Sequence, residues 1–291
     1  MQTTTLKMQS APRTRVKPMR NWSRLPLYVC LTILAFVFIY PLIYTILASF
    51  KTNSEIFSNY FGLPSTWHFE NYASAWVKGK IGNYFLNSLF ICTVFVVAGL
   101  FFSSMGAYVI ARVKAKWLVS VFYFFVAGMM IPVHSILIPL AQMAVSFKLS
   151  DNYSFLIGLY VAGGIPYMIF VMTGFMRSLP TELEEAVIID GGGLWTIYRK
   201  VLLPLSRPVL ATMGILGFLS TWNDLILALL FIKKSSMWTL SLGLMNFTGL
   251  FTTDYAGLCA AIILVNIPII IVYLFLQEYV EKGLTSGAVK G

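Results

Sequence analysis

Charge is scarce in this sequence. Asp, Glu, Lys and Arg make up 11% of its 291 residues, whereas a soluble globular domain carries about 25%. Apolar residues make up 58% and aromatic residues 15%. This composition excludes an ordinary soluble domain and predicts an integral membrane protein.

Cysteine and catalytic motifs are also scarce. Cys30, Cys92 and Cys259 all fall inside apolar runs and share no short spacing, so neither a metal site nor a disulfide framework is indicated. The sequence has no Gly-x(4)-Gly-Lys-Ser/Thr loop, no His-Glu-x-x-His, no Gly-x-Ser-x-Gly and no paired catalytic carboxylates. We therefore expect a non-catalytic protein without cofactor or metal, which takes its energy from a partner.

Long apolar runs are abundant instead. A helix needs about 20 mostly apolar residues to cross the hydrocarbon layer, and six runs meet this length: 27–50, 84–111, 117–141, 153–176, 209–232 and 256–276. The first run is too long for a secretory signal core and should remain as an anchor. Because backbone groups in lipid must bond within their own segment, the sequence predicts an all-α membrane protein with six transmembrane helices.

Lys and Arg fall unevenly on the two sides of these runs. Fifteen lie in the first 26 residues, in the second and fourth connections and at the C-terminus, and six lie in the remaining connections. Basic residues in short loops stay cytoplasmic. The sequence therefore predicts two cytoplasmic termini and a cytoplasmic loop 177–208, and the net charge of +10 is explained by topology without a nucleic-acid partner.

The cytoplasmic loop 177–208 predicts two short helices joined by a turn. Thr181 and Glu184 have the spacing of a capping box, which starts a helix that ends near Asp190. The glycines 191–193 favour a turn. A second amphipathic helix over about 194–202 would carry aromatic side chains on one stripe until Pro204 breaks it.

This loop resembles the EAA loop of ATP-binding-cassette (ABC) importer permeases, through the spacing Glu185-Ala186-x(4)-Gly191-x(9)-Val201-x-Leu203-Pro204. The resemblance covers about residues 80–291. Trp195, Tyr198, the stretch 222–224 and the tail 283–291 are similar to the smaller permease subunit of maltose-type oligosaccharide importers. The sequence departs from that pattern at Val187, where the family usually has Ala, and at Val201, where Ile is common.

The resemblance implies the type I ABC importer transmembrane fold and a set of partners. These are a second permease subunit in a heterodimer, two ATPase subunits, an extracytoplasmic solute-binding protein and a sugar, in the bacterial inner membrane. Glu185 is similar to the family glutamate that pairs with a basic residue of the ATPase. The other residues implied in ATPase coupling are Glu184, Ala186, Asp190, Gly191, Trp195, Tyr198 and Pro204, with Gly287 and Lys290 at the ATPase interface.

Polar groups inside the apolar runs indicate a pathway. Trp222, Asn223 and Asp224 offer an aromatic face, an amide and a carboxylate, which suit a sugar, although Asp224 could equally be a helix-packing residue. His134 is expected to satisfy backbone groups freed by neighbouring prolines rather than to bind a ligand. Asn87 and Asn266 are expected to form hydrogen bonds between helices.

Two connections are predicted outside the membrane. The loop 233–255 is implied by the resemblance to approach the solute-binding protein through Asn246, Thr248 and Gly249, or else it is a plain connector. Aromatic residues in the loop 51–83 are expected to anchor in the headgroup layer.

The predicted domain division is a basic tail 1–26, a transmembrane domain 27–276 with its core at about 83–276, and a tail 277–291. Composition alone predicts disorder in the last tail. The predicted function is the permease subunit of an ATP-driven, binding-protein-dependent sugar importer. Two alternatives stay open: a peptide or amino-acid importer with the same loop, and an ion-coupled secondary transporter, which would normally show more membrane carboxylates and internal repeats.

Overall fold

The structure is a computed structural model that describes residues 25–249 and 252–288, without the side chains of residues 272 and 275–288. Within these ranges the chain is mainly helical, and its one β-type pairing is an isolated bridge between Thr248 and Thr253. Among the described residues, those from 45 onward form one compact unit, and those from 25 to 44 form another. Most of helix α1 (Leu25–Ala48) belongs to the second of these.

The following helices make up the larger unit. They are α2 (Asn53–Ser58), α3 (Glu70–Val77), α4 (Ile81–Arg112), α5 (Lys116–Met129), α6 (Leu137–Ser146), α7 (Tyr153–Ser178), α8 (Glu182–Ile189), α9 (Leu194–Ile197), α10 (Leu203–Leu205), α11 (Arg207–Trp222), α12 (Ile226–Phe231), α13 (Leu240–Gly243) and α14 (Tyr255–Ala288). Single 3-10 turns lie at Val133–Ile136, Ser235–Met237 and Leu244–Phe247, and a π turn lies at Tyr198–Leu202.

Three helices, α1, α4 and α7, are long and apolar enough to cross a membrane without a break. Two bent pairs raise this number to as many as five when each pair is taken as one span. Helix α14 has an apolar stretch, Tyr255–Ile271, that is shorter than a full span within the described side chains. The structure therefore confirms an all-α membrane fold but not the predicted count of six spans.

The third predicted span, 117–141, consists of two helices joined by a bend. Helix α5 ends at Met129, and the chain bends by 86° before it continues through the 3-10 turn into α6. Pro132 lies at the break with extended backbone (φ −63°, ψ 126°), because proline lacks the N–H that a continuing helix requires. The hydroxyl of Ser135 donates to the Pro132 carbonyl at 2.9 Å.

The fifth predicted span, 209–232, is likewise divided between two helices. Helix α11 ends at Trp222, and α12 begins only at Ile226. Asp224 lies between them, and its carboxylate accepts hydrogen bonds from backbone N–H groups of α12. Competition from such side-chain bonds is the physical reason why Asp interrupts helices.

The core lies where α4, α7 and α11 meet. Phe95 of α4 is buried between two glycines, and a Cβ atom at Gly164 or Gly217 would come within about 3.0 Å of its ring. Small residues at helix interfaces allow such close approach in membrane proteins. Glycine at these two positions thus sets the spacing of the three central helices.

The short elements α3 and α13 lie near the N-terminal end of α4, α2 contacts α14, and the loop 177–208 lies near the C-terminal end of α4. Asp151, with φ +56°, fixes a further connection at the first of these ends. Its carboxylate accepts the N–H groups of Lys233 and Lys234 at 2.6 and 2.8 Å. These bonds and the two lysine charges lower the pKa of Asp151.

Candidate functional site: the helical elbow 180–206 and the broken fifth span

The loop 177–208 folds as an elbow of two helical arms, which we call the coupling elbow (residues 180–206). The first arm is α8, and its first turn carries Glu182, Glu184 and Glu185, where acidic side chains favour the positive end of a helix. The predicted capping box does not form. The Thr181 side chain makes no cap bond, and its backbone carbonyl accepts the N–H groups of Glu184 and Glu185 at 2.9 and 3.2 Å.

The turn between the arms depends on two glycines. Gly191 adopts φ +80°, in the left-handed region that favours glycine. The N–H of Gly192 donates to the Val187 carbonyl at 2.8 Å. A Cβ atom at Gly192 would lie 2.5 Å from Cγ1 of Val187. Val187, the departure from the family pattern, therefore fits because its neighbour has no side chain.

The second arm is helical from Leu194 to Leu205 and includes the π turn. The prediction that Pro204 ends this helix is wrong, because Pro204 lies inside the last helical turn. A π turn widens the helix and leaves room for a proline ring that lacks an N–H. The chain bends by 70° after Leu205, and α11 begins at Arg207.

The structure divides the predicted coupling residues into two groups. Glu185, Ala186, Asp190, Gly191 and Trp195 are exposed. Glu184, Tyr198 and Pro204 turn toward the bundle, with Tyr198 4% exposed and the Glu184 side chain 13% exposed. The Trp195 and Tyr198 rings remain neighbours, with centroids 5.3 Å apart.

The sequence reasoning missed an apolar surface on the elbow. Ile188, Ile189 and Leu194 are 59%, 85% and 62% exposed, beside Trp195 at 58%. Several large exposed apolar side chains in one short segment are typical of a protein contact surface. The signal was present in the sequence as an Ile-Ile pair directly before Asp190 and Gly191.

The three predicted pathway residues lie at the break in the fifth span, and each has a different environment there. Trp222 is 1% exposed and stacks on Phe218 at 5.2 Å and on the edge of Phe85 at 5.6 Å. In this conformation its ring offers no free face to a sugar. Asn223 is exposed, and its amide donates to the Leu219 carbonyl at 2.8 Å.

Asp224 bridges two helices. Its Oδ2 accepts the hydroxyl of Tyr160 on α7 at 2.8 Å and the N–H groups of Leu227 and Ala228 at 3.1 and 3.3 Å. The last two bonds satisfy N–H groups that have no partner at the start of a helix. This geometry favours the packing interpretation of Asp224 over direct substrate contact.

The remaining polar residues of the apolar runs form different hydrogen bonds from those that the sequence predicted. His134 is exposed and lies in the 3-10 turn, where Ser135 rather than His134 bonds the Pro132 carbonyl. Asn87 donates to the carbonyls of Ser236 and Trp238 in a connection, not to another helix. Asn266 donates to Ile262 within its own helix, so both predictions of helix-to-helix bonds are wrong.

At the other end of α4, the predicted binding-protein contacts lie at the surface. Asn246, Thr248 and Gly249 are exposed, and the Asn246 amide donates to the Tyr84 hydroxyl at 2.9 Å. Asn246 and Tyr84 line a polar cavity of about 530 Å³ whose walls include Lys78 and Lys80.

The predicted C-terminal tail lies only partly within the described residues. The α14 backbone runs past position 276 to Ala288, so the helix continues beyond the predicted end of the last apolar run. Gly287 falls inside this helix, but its surroundings lie outside the described residues, as does Lys290. Among the side chains that the structure describes, no group of three His, Cys, Asp or Glu residues could hold a metal ion.

Comparison with known proteins gives a consistent family. The diacetylchitobiose uptake system permease protein NgcG of Streptomyces coelicolor is 34% identical over 253 residues, which cover 86% of this chain and 84% of that protein. The multiple sugar-binding transport system permease protein MsmG of Streptococcus mutans is 35% identical over 267 residues, which cover 90% and 96%.

Among solved structures, a chain of a bacterial ABC transporter involved in the import of the acidic polysaccharide alginate matches with a TM-score of 0.79. It is 24% identical and covers 93% of this chain and 99% of its own length, which shows a shared fold. The family of binding-protein-dependent transport system inner membrane components matches residues 99–286, more than half of the chain. The chain therefore belongs to this family of ABC importer permeases, whose members are non-catalytic transmembrane subunits.

Proposed function

We propose that this chain imports an oligosaccharide as one of two permease subunits and that a separate ATPase drives it through the coupling elbow. The observation that carries the proposal is the exposed surface of the elbow. Glu185, Ile188, Ile189 and Trp195 are all exposed on the two arms that flank the fixed glycine turn. A surface that offers both a carboxylate and apolar side chains suits a partner cleft that contains an arginine.

The coupling residues take two roles in this proposal. Glu185, Ala186, Asp190, Gly191 and Trp195 form the face that the ATPase contacts. Glu184, Tyr198 and Pro204 support that face from below, since they are turned inward. Gly287 and Lys290 of the C-terminal segment are proposed to reach the interface between two ATPases, as the family resemblance implies.

The sugar and the path are inferred from two sources. The relatives from Streptomyces coelicolor and Streptococcus mutans carry names that refer to diacetylchitobiose uptake and to multiple sugars. In this chain, exposed Asn223 lies at the helix break beside Asp224, where polar groups meet an otherwise apolar span. We propose that Asn223 borders the route, whereas Asp224 holds the break in shape and Trp222 packs behind it.

The orientation follows from the charge distribution. Basic residues concentrate in the first 26 residues and in the loop 177–208, so the termini and the elbow face the cytoplasm of a bacterial inner membrane. The opposite surface, with Asn246, Thr248 and Gly249, then faces the solute-binding protein. The second permease subunit completes the pathway as the other half of a heterodimer, and the described helices leave extensive apolar surface for it and for lipid.

The proposal predicts that Glu185→Arg abolishes transport and ATPase association without unfolding the helix bundle. The reversed charge would face the arginine expected in the partner cleft, and Glu185 is exposed and belongs to no core cluster. Co-purification of the ATPase with the tagged permease pair measures association, and uptake into proteoliposomes measures transport.

A matched control is Glu182→Arg, which makes the same change of charge in the same helical turn. Residue 182 is the first residue of α8 and is not among the residues proposed to contact the ATPase, so this variant should keep the ATPase. Normal ATPase recovery with Glu185→Arg would contradict the docking role. Sugar accumulation by this chain alone, without ATPase or ATP, would contradict the proposed function as a whole.

A further inference from the structure

Helix α4 holds the coupling elbow through three polar side chains spaced four residues apart. Ser104, Tyr108 and Arg112 are 2%, 7% and, for the arginine side chain, 9% exposed. Residues spaced in this way lie on one face of a helix. The buried face is covered by the elbow, as the partners of the three side chains show.

Two of these side chains contact the second arm. Oγ of Ser104 lies 2.8 Å from the Tyr198 hydroxyl in a buried hydrogen bond. The Tyr108 hydroxyl donates to the carbonyl of Leu194, the first residue of the arm, at 3.0 Å. The rings of Tyr108 and Tyr198 lie 5.5 Å apart.

The third side chain contacts the first arm. Nε of Arg112 lies 2.5 Å from Oε1 of Glu184 in an ion pair, and an Nη of Arg112 donates to the Leu179 carbonyl at 3.0 Å. Helix α8 has no fully buried residue. Its attachment to the bundle combines this mostly buried ion pair with the packing of partly buried Val187 against the core.

The opposite end of the same helix holds the outer connection. Oγ of Ser88 accepts the buried N–H of Leu240 at 2.7 Å, and Asn87 and Tyr84 bond residues 236, 238 and 246. Helix α4 has 32 residues, which corresponds to about 48 Å at 1.5 Å per residue. One continuous helix, with no proline inside it, is therefore fixed by polar contacts to both surfaces.

We infer that α4 transmits movement between the coupling elbow and the outer connection 233–249, with Ser104, Tyr108 and Arg112 as positioning residues at the inner end and Ser88 at the outer end. The inference rests on the proposed function and adds the mechanical route within it. A continuous helix that is bonded to a loop at each end moves as a rigid body. The polar contacts of α4 keep both loops in place along the helix. None of the four residues is assigned to contact the ATPase or the sugar.

The test measures how strongly the solute-binding protein stimulates ATP hydrolysis by the complete reconstituted transporter. Tyr108→Phe removes one hydroxyl without changing the shape of the ring. It should lower this stimulation about fivefold, the effect expected when one hydrogen bond of ordinary net strength is lost from the active arrangement. Basal hydrolysis and ATPase association should stay unchanged.

The matched control is Tyr153→Phe. The Tyr153 hydroxyl also donates to a backbone carbonyl, that of Met237, at 3.0 Å, but it belongs to α7. Both variants lose one tyrosine-to-carbonyl bond, so their melting temperatures should fall by similar amounts, whereas only Tyr108→Phe should reduce stimulation. Ser88→Ala, at the outer end of α4, should reproduce the loss.

Two failures can be told apart. A wild-type complex whose ATP hydrolysis does not respond to the binding protein would overturn the proposed function. A responsive wild type, with Tyr108→Phe and Ser88→Ala stimulated as strongly as Tyr153→Phe, would overturn the role of α4 alone.

Discussion

At the scale of single residues, the sequence predicted which side chains have a functional position better than it predicted which residues they contact. The EAA spacing predicted Glu185 at an exposed position, and the structure leaves it exposed. The neighbouring Glu184 was assigned the same role, yet it pairs with Arg112, which is 72 positions away in the chain. Two adjacent glutamates on a helix necessarily point in different directions, but the choice between them depends on tertiary contacts that local spacing does not contain.

Asp224 gives a prediction at this scale. Because its carboxylate caps α12, Asp224→Ala should destabilise the protein by about 1 kcal/mol, whereas Asp224→Asn should be tolerated since Asn is an equally good cap. Melting temperature and the KM for sugar uptake measure the two effects. If Asp224→Asn impairs uptake as severely as Asp224→Ala while the melting temperature is normal, the negative charge lies on the sugar route and the capping explanation fails.

At the scale of elements, the apolar runs located the helices, whereas their breaks depend on single residues within the runs. The runs at 84–111 and 153–176 correspond closely to α4 and α7. The runs at 117–141 and 209–232 contain breaks at Pro132 and Asp224, which hydropathy averages hide because only one or two residues cause each break. In the second elbow arm the sequence predicted a helix end that the structure does not have at that point, since a π turn carries the helix through Pro204.

The elbow turn gives a prediction for the arrangement of its two arms. Gly192→Ala would place a Cβ atom 2.5 Å from Cγ1 and 2.9 Å from the carbonyl oxygen of Val187, and overpacking of this kind costs about 1–3 kcal/mol. The arms should shift, and ATPase co-purification should weaken. Gly193→Ala is the control, because a Cβ there meets no atom within 4 Å.

The same contact predicts a rescue. Val187→Ala removes the Cγ1 atom that a residue-192 side chain would strike. The double variant Val187→Ala with Gly192→Ala should therefore recover part of the ATPase association lost by Gly192→Ala alone, because the contact with the Val187 carbonyl oxygen at 2.9 Å remains. A double variant that recovers nothing would show that this backbone contact, and not the Val187 side chain, excludes a side chain at residue 192.

At the scale of the whole molecule, composition and charge predicted the class and one orientation. Low charge and long apolar runs are sufficient for an all-α membrane protein, because the bilayer permits few other solutions. The distribution of Lys and Arg then predicts that the coupling elbow lies in the cytoplasm and the loop 233–255 outside. The relative placement of the helices depends on close packing around residues such as Gly164 and Gly217, which no composition predicts.

Orientation is the last prediction. After Cys30, Cys92 and Cys259, none of which is paired, are replaced by Ser or Ala, Lys200→Cys and Lys234→Cys place single thiols at two exposed positions on opposite sides. A membrane-impermeant maleimide applied to cells with a permeable outer layer should label residue 234 and spare residue 200. Detergent permeabilisation should make both reactive, which controls for access. Labelling of residue 200 in intact membranes would reverse the topology, and an ATPase in the cytoplasm could then not reach the elbow.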